Sequence, residues 1–219
     1  MKEYRLKIKH TKAYYYHYRF IQFTIRIFFK IIYRIEEKNR ELIPKKGGFI
    51  LCSNHISYLD PVIIGIYFPR YIFFMAKIEI FKSRLLTVLV KFYNAFPVNR
   101  NSFDRKTIRD SINIIKSGEV LGVFPQGTRY PDGYIGEGKK GIGMISTMAG
   151  CPIVPMAISG TNKIIKKPHK RIFFPKVKIN YGKAIDTKAI KDKYNSKQAI
   201  KIIVDKTMNS IRELYKEIK

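Results

Sequence analysis

From Pro44 onward the chain alternates short apolar runs of strand length with stretches of helical periodicity, and this alternation constrains the fold more than any other feature. Strands are predicted over residues 48–53, 71–76, 95–98, 120–124, 153–159 and 172–181. Helices are predicted between them over 61–67, 80–93, 104–117, with Gly118 as the stop, and 139–148. Over 196–218, Ile200, Ile203, Val204, Met208, Ile211 and Leu214 recur at helical spacing, which predicts an amphipathic helix that packs on the core. The pattern implies an α/β fold with a mixed, largely parallel sheet flanked by helices. At 219 residues, one domain over 44–219 is expected, preceded by a distinct segment over 1–43.

That first segment is dense in Tyr, Phe and Ile, yet Arg19, Arg26, Lys30 and Arg34 interrupt it. The uncharged stretch after Arg19 covers only residues 20–25, well short of the roughly 20 apolar residues of a spanning helix. The first forty residues also lack the uninterrupted apolar run of a secretory signal. Wound as a helix, Phe20, Phe23, Ile27 and Ile31 form one stripe and the four cations fall mostly on the other side. This is the pattern of a basic amphipathic helix lying on a membrane. The alternative is a helix whose stripe packs on the chain's own core.

Charge bears on the choice of partner. The 43 Lys and Arg against 16 Asp and Glu give a net +27, a field that calls for an anionic partner or surface. The ends are the most basic: residues 1–40 hold 11 basic and 3 acidic side chains, and 161–219 hold 17 and 5. A membrane fits, and so does a nucleic acid at the patch KIIKKPHKR over 163–171. A third account is the lysine bias of an AT-rich genome, since Lys outnumbers Arg 30 to 13. Apolar residues at 46% exclude a disordered chain. Cys52 and Cys151 lie in apolar runs without partners at metal spacing, so both read as reduced core thiols, with no disulfide and no metal centre.

Four short stretches carry chemistry. In LCSNHISYLDP, His55 follows the first strand of the domain and Asp60 stands five residues on. A carboxylate on one imidazole nitrogen fixes the tautomer and leaves the other nitrogen as a base for an alcohol proton. Asp60 before Pro61 also reads as a helix N-cap, and Cys52 beside His55 raises a Cys/His nucleophilic pair as a rival. In VFPQGTRYPDG a strand enters a turn with Gly127, Thr128 and Arg129, groups able to cradle a phosphate. FPVNR is a strand ending on Arg100, and CPIVPMAISG is a buried strand bracketed by prolines.

In order and spacing, NHISYLD, FPVNR, FPQGTR and IVPMAISG resemble the four blocks of the glycerolipid acyltransferase family, the 1-acylglycerol-3-phosphate acyltransferases and their relatives. The matching positions are Asn54, His55 and Asp60; Arg100; Phe124, Pro125, Gly127, Thr128 and Arg129; and Val154 with Pro155. Lys139 and Gly141 match the family's Lys-x-Gly between the third and fourth blocks. Gln126 stands where the family usually has Glu.

The resemblance implies transfer of an acyl group from a thioester to the free hydroxyl of lysophosphatidic acid, giving phosphatidic acid. His55 is then the base and Asp60 its orienter, with Asn54, Arg100, Gln126, Gly127, Thr128, Arg129 and Lys139 at the substrate. Glycerol 3-phosphate or another lysolipid is the alternative acceptor. The co-substrate is an acyl-carrier-protein or coenzyme A thioester, with no bound cofactor. A lipid acceptor makes the cytoplasmic face of a membrane, held peripherally or monotopically, the preferred account of the +27 charge over nucleic acid.

Overall fold

The computed structural model describes residues 12–77, 95–98, 105–166 and 171–219. The helix predicted over 80–93 and Arg100 lie outside these residues.

Each apolar run after residue 44 enters one sheet. The strands are β1 (Glu36–Lys38), β2 (Phe49–Ser53), β3 (Ile72–Lys77), β4 (Phe96–Val98), β5 (Val120–Val123), β6 (Ile153–Ser159) and β9 (Lys178–Tyr181), in the order β1-β9-β6-β2-β5-β3-β4. Every described pairing in this sheet is parallel except β6 with β9. β7 (Ile165–Lys166) and β8 (Arg171–Ile172) form a separate antiparallel ribbon. The mixed, largely parallel sheet expected from the sequence is thus present, and helices cover both its faces.

Alternation along β2 shows how the layers are divided. Phe49 and Leu51 join a core built with α1 (Lys12–Tyr33) and α2 (Asp60–Tyr67), including Ile63, Ile64 and Tyr67. Ile50 and Cys52 point to the other face, against α3 (Arg105–Lys116), α4 (Gly141–Ala149), α5 (Thr187–Lys193) and α6 (Ser196–Lys216). Strands buried on both faces read as continuous apolar runs, which is why FILCS and IVPMAIS are legible in the sequence. The packing role read for the C-terminal helix holds, since Ile203, Val204, Met208 and Ile211 enter this second core.

Three differences from the sequence reading have physical causes. The run over 172–181 is split into β8 and β9, because Pro175 has no N–H for a ladder and Arg34 takes the Phe174 carbonyl at 2.9 Å. β1 lies within the segment read as separate, yet it pairs with β9 at the sheet edge. Its sequence, EEK, has no apolar alternation to betray an edge strand. α5 is also new; the Asp186 carboxylate caps it by accepting from the Lys188 and Ala189 N–H groups.

α1 is helical as expected, and it carries a second apolar face that the sequence reading does not single out. Phe20, Phe23, Ile27 and Ile31 are 69, 62, 47 and 74% exposed, so the stripe is not packed on the core. The inward face carries Ile25, Phe29 and Tyr33 instead, with Gln22 donating to the Gly65 carbonyl at 2.7 Å. Arg26 also turns inward, pairing with Glu37 at 2.9 Å and lying over the Tyr67 ring. Lys30 and Arg34 are left exposed. Among the described residues, no helix is long and apolar enough to cross a membrane.

Candidate active site

β2 is the central strand where the chain's connections change direction, with β5 on one side and β6 on the other. Ligands of open α/β sheets bind beyond the carboxyl ends of strands at such a point. Here the loops leaving β2, β5 and β6 bring together His55, Phe124 and Thr161.

The Asp60 carboxylate organises the loop after β2. Its Oδ2 lies 2.7 Å from His55 Nδ1 and accepts from the Ile56 and Ser57 N–H groups, each at 2.7 Å. Its Oδ1 accepts from the Thr161 hydroxyl at 2.5 Å. Asp60 is fully buried, and every other partner on it is a donor. Nδ1 of His55 therefore carries its hydrogen toward the carboxylate, which leaves Nε2 with a free lone pair. Asp60 does not cap α2: its partners precede the helix, and Pro61 supplies the start. The imidazole is stacked on Phe124, with centroids 4.0 Å apart and planes within 15°. Its side chain is only 10% exposed, so the ring is fixed in both plane and tautomer.

Asn54 is a correction to the sequence reading. Its amide donates to the Ile158 carbonyl and accepts from the Ile158 N–H, both at 2.9 Å. At 1% exposure it offers no surface to a substrate; it locks the end of β2 to β6 and so positions the next residue, His55.

The turn after β5 stands over this pair. The Gly127 N–H donates to the Phe124 carbonyl at 3.0 Å, and Tyr130 donates to the His55 carbonyl at 2.8 Å. Gly127 has φ +71, a backbone conformation that favours glycine, and it packs closely against the end of the Lys139 side chain. The Lys139 side chain lies against Gly127, while its N–H donates to the Pro125 carbonyl at 2.8 Å. The Arg129 guanidinium stacks on the Tyr58 ring, 3.1 Å from its centroid. Thr128 is exposed at the tip. Arg129 and Lys139 thus bring two cations to the turn beside His55.

Gln126 is buried beneath the turn. Its Nε2 donates to the Tyr134 carbonyl at 3.1 Å, and its Oε1 has no partner among the described residues. Residues 133–136 are held from below by α6. Arg212 donates to the Ile135 and Gly136 carbonyls, each at 3.0 Å, and the Tyr215 side chain lies against Gly133. Burial first, then the nearby Asp132 and Asp60 charges, raise the Tyr215 phenol above its ordinary range.

Cys52 is fully buried in the core opposite α1, and burial pushes its thiol far up; Cys151 is pushed up to about 12 for the same reason. Neither supplies a thiolate, which removes the Cys/His nucleophilic pair. Thr161, Tyr58 and Arg212 are site residues that the sequence reading does not single out. Thr161 follows the fourth block directly, and Gly160, at φ +87, turns the chain so that Thr161 faces Asp60.

A histidine held by a buried carboxylate, beside a turn bearing two cations, is an arrangement chemically able to activate a hydroxyl near an anionic group. The family model described as Acyltransferase matches residues 34–159, and the chain belongs to that family. The chain is 30% identical over 144 residues to the 1-acyl-sn-glycerol-3-phosphate acyltransferase of Bacillus subtilis (strain 168), covering 65% of this chain and 71% of the relative. It is 29% identical over 184 residues to the enzyme of that name from Streptococcus pneumoniae, covering 83% and 66% of the two chains. Among solved structures, PlsC of Thermotoga maritima, the 1-acyl-sn-glycerophosphate (LPA) acyltransferase, superposes with a TM-score of 0.71 at 25% identity. That match covers 95% of this chain and 84% of the other.

Proposed function

We propose that this acyltransferase acylates the free hydroxyl of lysophosphatidic acid to give phosphatidic acid. The observation that carries the reading is the His55–Asp60 pair beside the turn of Arg129 and Lys139. Nε2 takes the hydroxyl proton as the oxygen attacks the thioester carbonyl. Collapse of the adduct breaks the C–S bond, and the departing thiolate takes the proton back from the imidazolium, so no acyl-enzyme forms. Such general-base catalysis is worth about 100-fold to 10,000-fold in rate, and Asp60 stabilises the imidazolium between the two proton transfers. Arg129 and Lys139 hold the phosphate through charge-assisted bonds. Arg100, Gly127, Thr128 and Gln126 complete the substrate's surroundings by resemblance to the family's blocks.

The donor is an acyl-carrier-protein or coenzyme A thioester. The enzyme works at the anionic, cytoplasmic face of a membrane, peripherally, because its acceptor and product reside there. The exposed stripe of α1, bordered by Lys30 and Arg34, supports that placement. The test is acyl transfer by the purified chain on vesicles, offering lysophosphatidic acid, glycerol 3-phosphate and other lysolipids in parallel with each donor. Preference for lysophosphatidic acid and a fall of at least about 100-fold in His55→Ala are expected. Full activity in that variant, or preference for another acceptor, overturns the reading.

A further inference from the structure

The ribbon of β7 and β8 has no assigned role, and it leaves the sheet at the turn that holds the Asp60 carboxylate. Thr161, bonded to Asp60, stands four residues before Ile165, and Asn162 donates to the Pro131 carbonyl at 2.7 Å in the loop after β5. Ile165 and Ile172 pair directly in the antiparallel register, so their side chains share one face of the ribbon. Both are exposed, as are the following Phe173 and Phe174. Four large apolar side chains are thus exposed within the ribbon and the chain leaving it, surface that water disfavours.

The patch is joined to α1. Arg34 donates to the Phe174 carbonyl at 2.9 Å, and the Tyr33 and Phe174 rings lie 5.9 Å apart. Ile31, the most exposed residue of the α1 stripe, sits one turn before these contacts. The charged side chains around the junction are mainly cationic: Lys30, Arg34, Lys163 and Arg171 are exposed, while Lys176 is neutralised by Glu36 at 2.5 Å. An apolar surface set among cations is complementary to an anionic bilayer, which offers acyl chains beneath phosphates.

We infer that the β7–β8 ribbon is a second lipid-binding element, inserting Ile165, Ile172, Phe173 and Phe174 into an anionic bilayer beside α1. The inference rests on the membrane placement proposed above and adds to it a contact close to the active site. Because the ribbon and Thr161 belong to one short stretch of chain, the bilayer is brought to the mouth of the site rather than only to the N-terminal helix.

The chain contains no tryptophan, so Ile172→Trp gives a single reporter on the ribbon in the full-length protein. Vesicles of phosphatidylglycerol and phosphatidylcholine should shift its emission to the blue, and brominated acyl chains should quench it. In parallel, the triple variant Ile172→Ser, Phe173→Ser, Phe174→Ser should lose at least about tenfold in vesicle partitioning, given the transfer cost of the lost side chains. If the protein binds vesicles while the indole emission of the Ile172→Trp variant stays that of water, the ribbon does not insert and the inference fails, leaving the α1 reading intact. If the unaltered chain binds no vesicles, the membrane reading fails with it. A blue shift that appears without lipid and rises with protein concentration marks a contact between copies of the chain and likewise overturns the inference.

Discussion

Thr161 donates its hydroxyl to the one Asp60 oxygen that His55 does not use, tying the end of β6 to the loop after β2 at 2.5 Å. The two strands are also locked by Asn54 on the Ile158 backbone. Asp60 is thus fixed from three sides before any substrate arrives, which is the preorganisation that a general base requires.

Thr161 is accordingly a positioning residue. Thr161→Val leaves the shape but removes a bond to a buried carboxylate, and such bonds are worth about 1.5 to 3 kcal/mol. We expect kcat to fall by about tenfold or more with KM for the acceptor little changed, and Thr161→Ser to restore most of the loss. Steady-state kinetics on the three proteins check this. A Val variant that loses only melting temperature would show the bond to be structural alone.

Gln126 explains itself once Tyr134 is seen. The amide donates to the Tyr134 carbonyl, so in this chain a carboxylate would set a second acceptor against that oxygen in a buried place. Gln126→Glu should destabilise the fold by about 1 to 3 kcal/mol at neutral pH. Burial beside an acceptor raises the introduced Glu above its unfolded value of about 4.3. The loss is therefore smallest below that value, where the group is protonated in both states, and grows as pH rises toward the folded value. Denaturant melts of both proteins from acid to mildly alkaline pH provide the measurement; a penalty independent of pH contradicts the argument.

The two thiols give a simple chemical check. With both groups buried and Cys151 pushed up to about 12, the native protein should resist alkylation in mildly alkaline buffer, while the denatured chain takes two adducts. Intact mass reads both. Cys52→Ala should keep acyl transfer within about threefold, because the thiol faces away from the chemistry into the core opposite α1.

What can be read from the sequence depends on how local the signal is. The buried strands announce themselves as apolar runs, and His55 and Asp60 announce themselves through their spacing in one loop. Asn54 is placed at the substrate by the resemblance to the family's first block, but its partner is 104 residues away, a distance no local pattern reveals. The α1 stripe and its exposure are legible, yet the face that packs inward is not. Ile25, Phe29 and Tyr33 form a rival apolar face on the same helix, and only α2 and the sheet decide which is buried. Thr161 and Arg212 escape the sequence for the same reason as the role of Asn54, their partners being 101 and 77 residues distant.

Arg212 shows how the C-terminal helix reaches the chemistry without touching it. Its guanidinium holds the Ile135 and Gly136 carbonyls, which continue the chain from Tyr134, the partner of Gln126. Arg212→Ala leaves two carbonyls unpaired and should cost about 1 to 3 kcal/mol of stability. The larger effect should fall on the acceptor: with residues 133–136 loosened, the adjoining turn of Arg129 and Lys139, proposed above to hold the phosphate, is itself held less firmly. KM for lysophosphatidic acid should rise severalfold while kcat falls little, and amide exchange should quicken over 130–138. Arg212→Lys, which cannot serve both carbonyls in one plane, should fall between. An unchanged KM together with faster exchange would separate the loop's stability from phosphate binding and assign Arg212 to the fold alone.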